Sequence, residues 1–279
     1  MKHEIVKLWD KGEYGGAMDD GFEPWLETYV LESRAERPAV LICPGGGYGY
    51  RTPRESEPVA LQFNAAGFHA FVLQYSVAPR RHPLPLRDAS RAMCIVRERA
   101  AEWKVRADSV AILGFSAGGH LAAHLGTCWD KPEAQSAGNS GAPAAGLNRP
   151  DALILCYPVI TAGDYVHPGS IDNLLGAGAR EAARRAVSLE SAVSSRTPPT
   201  FIWHTCQDQA VPVENSLLFA EALRNAGVPF ELHVYHRGLH GLSLATPETS
   251  DDLHRPDAHV AGWIGICVEW LGEVFGWRE

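Results

Sequence analysis

Gly114-Phe115-Ser116-Ala117-Gly118-Gly119 stands between an apolar strand pattern over 109–113 and a helical pattern over 118–125. A strand that turns straight into a helix with a serine at the corner holds that serine in strained geometry above the edge of a sheet. Glycines flank the corner because a side chain there would collide with the neighbouring strand or helix. The helix N-terminus behind it favours developing negative charge. In this context the G-x-S-x-G pattern marks a nucleophile rather than an incidental serine in a glycine-rich turn.

The chain around the turn supplies the layers that such a corner requires. Extended apolar segments at 5–9, 27–31, 39–43, 69–75, 109–113, 152–157, 200–204 and 231–235 are separated by stretches with helical spacing. That pattern predicts a three-layer fold, a mostly parallel eight-stranded sheet with helices on both faces. Most of the segments lack polar alternation, as strands buried on both faces do. The first two have no helix between them and are expected to form an antiparallel edge. Helices are predicted over 58–66, 86–101 and 214–226, the first and last stopping at Gly67 and Gly227, which suit the left-handed position past a helix end. Two stretches read as insertions: 132–150, rich in Gly, Ala, Ser, Asn and Pro, as a mobile surface loop, and 163–199, with short helices including 179–188, as a small cap. At 279 residues and 46% hydrophobic content, the chain suits one large domain, 1–279, with a full core.

A serine hydroxyl needs a base, and an imidazole base needs a carboxylate to hold its tautomer. Asp208 comes just past the 200–204 strand in His204-Thr205-Cys206-Gln207-Asp208, at the sheet edge where ligands bind in open α/β sheets. His240 follows the 231–235 strand in Gly238-Leu239-His240-Gly241-Leu242, a loop suited to reaching Ser116. The order Ser, Asp, His is the one used with this kind of corner. Asp164 and Asp172 fall in the cap stretch and Asp251 follows His240, so each breaks the placement or the order. His236, His204 and His120 read as packing residues. His254 and His259 flank Asp257, but without a matched carboxylate or cysteine set they do not make a metal site.

An oxyanion formed by attack of Ser116 on a carbonyl needs backbone donors. One is the N–H of Ala117, next after the nucleophile, and the other source is the loop after the 39–43 strand, Pro44-Gly45-Gly46-Gly47-Tyr48-Gly49-Tyr50. Consecutive glycines let amides turn toward one point. The loop lacks the Lys-Ser/Thr ending of a phosphate loop.

Composition excludes other classes. A net charge of -8 leaves no basic stripe for a nucleic-acid backbone. The cysteines Cys43, Cys94, Cys128, Cys156, Cys206 and Cys267 form no C-x-x-C pair and mostly have apolar neighbours, which fits free thiols in a reducing compartment. The start, Met1-Lys2-His3-Glu4-Ile5-Val6-Lys7, carries charges where a signal peptide needs an apolar run, and no later run approaches a membrane span. A cytoplasmic protein without a membrane partner is expected, and homo-oligomerisation is left open.

Together these residues resemble the acetyl-xylan-esterase-like and hormone-sensitive-lipase-like carboxylesterases of the α/β-hydrolase superfamily. The likeness runs from about Val40 onward and rests on Pro44-Gly45-Gly46-Gly47-Tyr48, Tyr75-Ser76-Val77-Ala78-Pro79, Pro85-Leu86-Arg87-Asp88, the Ser116 corner with His120, and the Asp208 and His240 segments. The resemblance implies Ser116, Asp208 and His240 as a catalytic triad and Gly46, Gly47 and Ala117 as oxyanion donors, with no cofactor. Pro44 stands where the lipase-like branch usually has His, and Phe115 where it often has Asp, both favouring the acetyl-xylan-esterase-like branch. The expected substrate is then a small-molecule ester, an acetylated sugar or xylo-oligosaccharide. The rivals are a small peptidase or amidase using the same three residues, and a catalytically silent ligand-binding scaffold. Asp164, His167, Ser170, Asp172 and Asn173 make the cap stretch polar, which predicts short acyl groups unless Leu242, Leu244 and Trp263 close a deeper pocket. Trp25, Trp129 and Trp203 are candidate sugar-stacking faces, set against the commoner core role of tryptophan.

Overall fold

All eight segments expected to be extended are strands of one sheet in the computed structural model of the protein, which describes residues 1–135 and 146–277. They are β1 (Ile5–Lys7), β2 (Trp25–Tyr29), β3 (Arg37–Cys43), β4 (His69–Gln74), β5 (Val105–Phe115), β6 (Ala152–Cys156), β7 (Thr200–Thr205) and β8 (Phe230–Tyr235). Side by side they run β1-β2-β4-β3-β5-β6-β7-β8. β1 is antiparallel to β2 and β2 to β4, whereas every neighbouring pair from β4 to β8 is parallel. A parallel pairing needs a crossover, usually helical, and the β1–β2 link has none. β5 starts earlier than its apolar run because Val105 already pairs with Arg37, before the register shifts between Arg37 and Ala39.

The helices are α1 (Glu57–Ala65), α2 (Leu84–Glu98), α3 (Ala100–Trp103), α4 (Ala117–Cys128), α5 (Pro168–Leu175), α6 (Glu181–Ala186), α7 (Glu214–Asn225), α8 (Ala258–Ala261) and α9 (Trp263–Val274). The single helix expected over 86–101 is thus two, meeting at Arg99, and that expected over 179–188 shrinks to α6. Two cores form, one on each sheet face. Ala39, Leu41 and Cys43 of β3 pack with Met93, Leu121, Leu125 and Phe219 from α2, α4 and α7. Val40 and Ile42 point the other way, to Val59 and Phe63 of α1 and Trp263, Cys267 and Leu271 of α9. Side chains of a strand alternate between faces, so a strand covered on both sides has no solvent-facing positions, which is why these runs are mostly apolar.

The C-terminal helix α9 was not among the expected helices, although Trp263, Cys267, Trp270 and Leu271 recur at helical spacing and are buried. Leu242, Leu244 and Trp263 belong to that second core and line no cavity beside Ser116, so they close no deep pocket there. Of the loop expected over 132–150, residues 136–145 lie outside the described residues. Because β3, β5, β7 and β8 are mutually parallel, the loops that begin at Pro44, Ser116, Cys206 and His236 all open at one sheet edge.

Candidate active site

Ser116 sits at that edge with φ 53° and ψ -118°, a left-handed conformation that a non-glycine residue adopts only when its surroundings impose it. They do so through backbone bonds: its N–H donates to Cys156 O at 3.0 Å, and its own carbonyl accepts from His120 and Val159. The glycines of the motif are required by contact. A Cβ on Gly114 would stand 2.0 Å from Gly118 O, one on Gly118 2.0 Å from Cys43 O, and one on Gly119 2.8 Å from Pro158 Cβ. The corner is therefore wedged between β3 and the Pro158 segment, with no room for a side chain at any of the three glycines.

Ser116 Oγ lies 2.8 Å from His240 Nε2, and His240 Nδ1 lies 2.6 Å from Asp208 Oδ2. The carboxylate fixes the proton on Nδ1 and leaves Nε2 free to accept from the serine. Asp208 is held from three further sides. Its Oδ1 accepts the N–H groups of Ala210 and Val211, and its Oδ2 also meets His204 Nε2 at 3.2 Å. Burial alone would raise the Asp208 pKa, but the hydrogen bonds from His204 and His240 outweigh it and hold the carboxyl well below the usual carboxylate range. The imidazole of His240 keeps 23% of its side-chain surface exposed while the Asp208 side chain is fully covered, so the chain of bonds runs from a dry carboxylate to the serine at the cavity floor.

The glycine loop divides its amides between structure and space. Gly45 N–H is committed to Glu55 Oε2 at 2.7 Å. Those of Gly46, Gly47 and Ala117 donate to no acceptor among the described residues. Gly46 adopts φ +124°, and a Cβ there would stand 2.3 Å from Tyr50 O, so only glycine fits. The loop is pinned from the cap stretch too, where Asn173 Nδ2 donates to Gly47 O at 2.9 Å.

Four residues close to this geometry were not singled out as functional by the sequence. Glu55, 3% exposed, receives Gly45 N–H on one oxygen and the Tyr157 hydroxyl, at 2.6 Å, on the other. Tyr157 in turn accepts Ser243 N–H at 2.9 Å, so one buried carboxylate ties the glycine loop to the end of β6 and to the loop that carries His240. Burial raises the Glu55 pKa, opposed by the Tyr157 and Gly45 bonds and by the charge of His240. His204 was read as a packing residue. It is fully buried and also bonds Ser216 Oγ at 2.7 Å, so it packs while holding Asp208. Arg54 donates to Gly241 O and Asp251 Oδ2, and His254 bridges Asp251 Oδ1 to His240 O, bracing the histidine loop from outside. His120, by contrast, stays structural, bonded to the Tyr48 hydroxyl and Val187 O, with burial pushing its pKa down to about 4. Asp257 caps α8 through the N–H groups of His259 and Val260.

A cavity of 620 Å³ opens over Ser116 and His240, walled by Gly46, Gly47, Tyr50, Arg54, His167 and Asn173 among others. Among the described residues its walls are glycines and polar side chains with Tyr50 and Pro53, and include no Leu, Ile, Val, Phe or Met. Trp25, Trp129 and Trp203 do not line it, and Trp203 is fully buried in the second core.

The chain is similar to known proteins in sequence and in fold. The chain is 40% identical over 269 residues to endo-1,4-beta-xylanase B of Butyrivibrio fibrisolvens, covering 95% of this chain and 40% of that protein. To the acetylxylan esterase of Xylanibacter ruminicola it is 32% identical, covering 82% of this chain and 45% of the other. It thus spans less than half the length of these curated relatives. Among solved structures, the acetyl ester-xyloside bifunctional hydrolase from Caldicellulosiruptor lactoaceticus matches with a TM-score of 0.86 and 39% identity, covering 99% of this chain and 97% of that one. The model of the family described as BD-FAE matches residues 26–223, from β2 through the serine corner to α7, and on this sheet the chain belongs to the BD-FAE family of the α/β-hydrolase superfamily.

Proposed function

We propose that this protein is a serine esterase that removes short acyl groups, acetyl above all, from the hydroxyls of sugars or xylo-oligosaccharides. The observation that carries it is the bonded series Ser116–His240–Asp208, which ends in an open cavity beside uncommitted amides. His240 Nε2 takes the Ser116 proton as Oγ attacks the ester carbonyl. The carbonyl oxygen becomes an anion that the N–H groups of Gly46, Gly47 and Ala117 receive. The tetrahedral intermediate collapses, the bond to the alcohol oxygen breaks, and His240 gives that oxygen its proton. Water, deprotonated by His240, then releases the acid from Ser116. Asp208 stays ionised throughout, orienting the imidazole and stabilising its cation. Each step uses only this chain's own groups.

The acetylxylan esterase and the acetyl ester-xyloside hydrolase to which the chain is similar support an acetylated carbohydrate as substrate. So does a cavity of 620 Å³, within the range for small-molecule sites and ample for one sugar ring. A hydrolysis screen of acetylated xylose, glucose and xylo-oligosaccharides against aryl and feruloyl esters and peptide p-nitroanilides tests the assignment. A preference for the anilides would replace it with an amidase. The cytoplasmic setting is part of the same proposal, supported by the buried free thiols of Cys43, Cys94, Cys156 and Cys267.

Two predictions follow from the wall and its supports. A deep apolar channel would raise kcat/KM several-fold per two-carbon step, since each buried methylene contributes about 0.8 kcal/mol. Among the described residues no Leu, Ile, Val, Phe or Met lines the cavity to form such a channel, so p-nitrophenyl acetate, propionate or butyrate should be the best of a chain-length series. A maximum at the octanoate ester, of about eight carbons, would show that a long acyl chain finds an apolar slot. The second concerns Glu55→Gln, which preserves shape but turns an amide N–H₂ toward either Gly45 N–H or the Tyr157 hydroxyl. A lost charge-assisted bond is typically worth about 1.5–3 kcal/mol, so kcat should fall about 10- to 100-fold with little change in KM, as read from Michaelis curves on p-nitrophenyl acetate. An unchanged kcat would remove Glu55 from the support of the oxyanion site.

A further inference from the structure

The cap stretch contributes more than a wall. His167 precedes α5, and its Nδ1 accepts the Ser170 N–H at 3.3 Å and meets Ser170 Oγ at 2.8 Å. A nitrogen that accepts a backbone N–H carries no proton, so the ring's hydrogen is on Nε2. That Nε2–H has no protein acceptor among the described residues, while the ring lines the cavity over Ser116. Six residues on, Asn173 spends its amide N–H₂ on Gly47 O and has its Oδ1 unpaired among the described residues. One donor and one acceptor on the same short segment therefore line the same cavity. Tyr50, 64% exposed, completes the wall with an accessible ring.

The leaving oxygen must lie against His240 to collect its proton, so the alcohol half of the ester occupies the part of the cavity around that residue. Arg54, Asp251 and His254, which also surround His240, are already bonded to one another and to backbone carbonyls. Among the neutral side chains beside His240, His167 has a ring N–H to spare, while Arg54 keeps most of its donors on these partners. Burial, followed by the proximity of His240, lowers the His167 pKa, in keeping with a neutral ring at neutral pH.

We propose that His167, Asn173 and Tyr50 form the subsite that selects the alcohol, with His167 Nε2–H and Asn173 Oδ1 bonding a pair of sugar hydroxyls and the Tyr50 ring covering the C–H face of the pyranose. Hydroxyls both donate and accept, so a matched donor and acceptor suit a polyol and give nothing to an aryl or alkyl alcohol. Such a site rejects an analogue that lacks the hydroxyls because its own polar groups are then left unpaired. The inference rests on the esterase reading above and adds which residues distinguish the sugar.

The test compares mono-acetylated xylose with p-nitrophenyl acetate on His167→Asn and Tyr50→Ala. Asparagine is among the best residues at a helix N-cap, so His167→Asn keeps the bond to Ser170 while removing the donor from the cavity. The ratio of kcat/KM for the sugar ester to that for the aryl ester should fall about three- to tenfold in His167→Asn, the usual worth of one neutral hydrogen bond, with the loss mainly in KM. Tyr50→Ala should lower the same ratio. If the native enzyme deacetylates xylose but both variants keep its ratio, the subsite is wrong and the esterase reading survives. If the native enzyme cleaves the aryl ester and leaves acetylated xylose intact, the sugar reading and this subsite fall together.

Discussion

Ser116→Ala should abolish the acylation burst with p-nitrophenyl acetate and lower kcat by at least about a thousandfold, leaving the slow rate that oriented amides alone provide. The reason is geometric. His240 Nε2 is 2.8 Å from the serine oxygen, and without that oxygen the base has no positioned nucleophile to deprotonate. His240→Ala should cost a comparable factor, and the double variant little more, because groups that act as a unit are not additive. Labelling by a fluorophosphonate probe should disappear with the serine. A Ser116→Ala enzyme that keeps its esterase rate within about tenfold of the native one would sink the mechanism, and with it the roles given to Asp208 and the oxyanion amides.

Gly118→Ala is expected to prevent folding rather than to slow catalysis. The added carbon would stand 2.0 Å from Cys43 O and 2.5 Å from Pro44 O, both backbone atoms at the end of a strand held on both sides. Neither can retreat without tearing β3 from β4 or β5, so the cost should exceed about 4–5 kcal/mol, a large share of a domain's typical stability. The variant should appear in the insoluble fraction, or melt far below the native protein by circular dichroism. Gly265 in α9 offers the contrast, since nothing lies within 4 Å of its would-be Cβ. Gly265→Ala should stabilise by about 0.5–1 kcal/mol through helix propensity alone. A soluble Gly118→Ala protein with native melting would show that the corner can open, contrary to the contacts seen.

The fold was legible in the sequence because its signals are local. A strand buried on both faces is mostly apolar, as the runs of β3 to β7 are, and the edge strands still stand out as short extended segments. The corner at Ser116 writes part of its steric needs into its own neighbours, since a Cβ on Gly114 would meet Gly118 O four residues on. Asp208 and His240 could be chosen over Asp251 and His254 because strand ends and chain order are also readable along one dimension. Glu55 carried no such mark. It stands in an ordinary charged stretch, Arg54-Glu55-Ser56-Glu57, and becomes a buried clamp only because Tyr157, 102 residues away, and Gly45 arrive at its two oxygens. His204 belonged to a buried strand on any reading, yet its hold on Asp208 depends on how the loop after β7 folds back. His167 and Asn173 came into the cavity because residues 163–199 cross over the same sheet edge, and their own neighbours in sequence say nothing about that. Local sterics and strand periodicity determined the scaffold and the nucleophile, while the charge network and the alcohol subsite were decided by tertiary structure, because hydrogen bonds between distant residues leave no period in the chain.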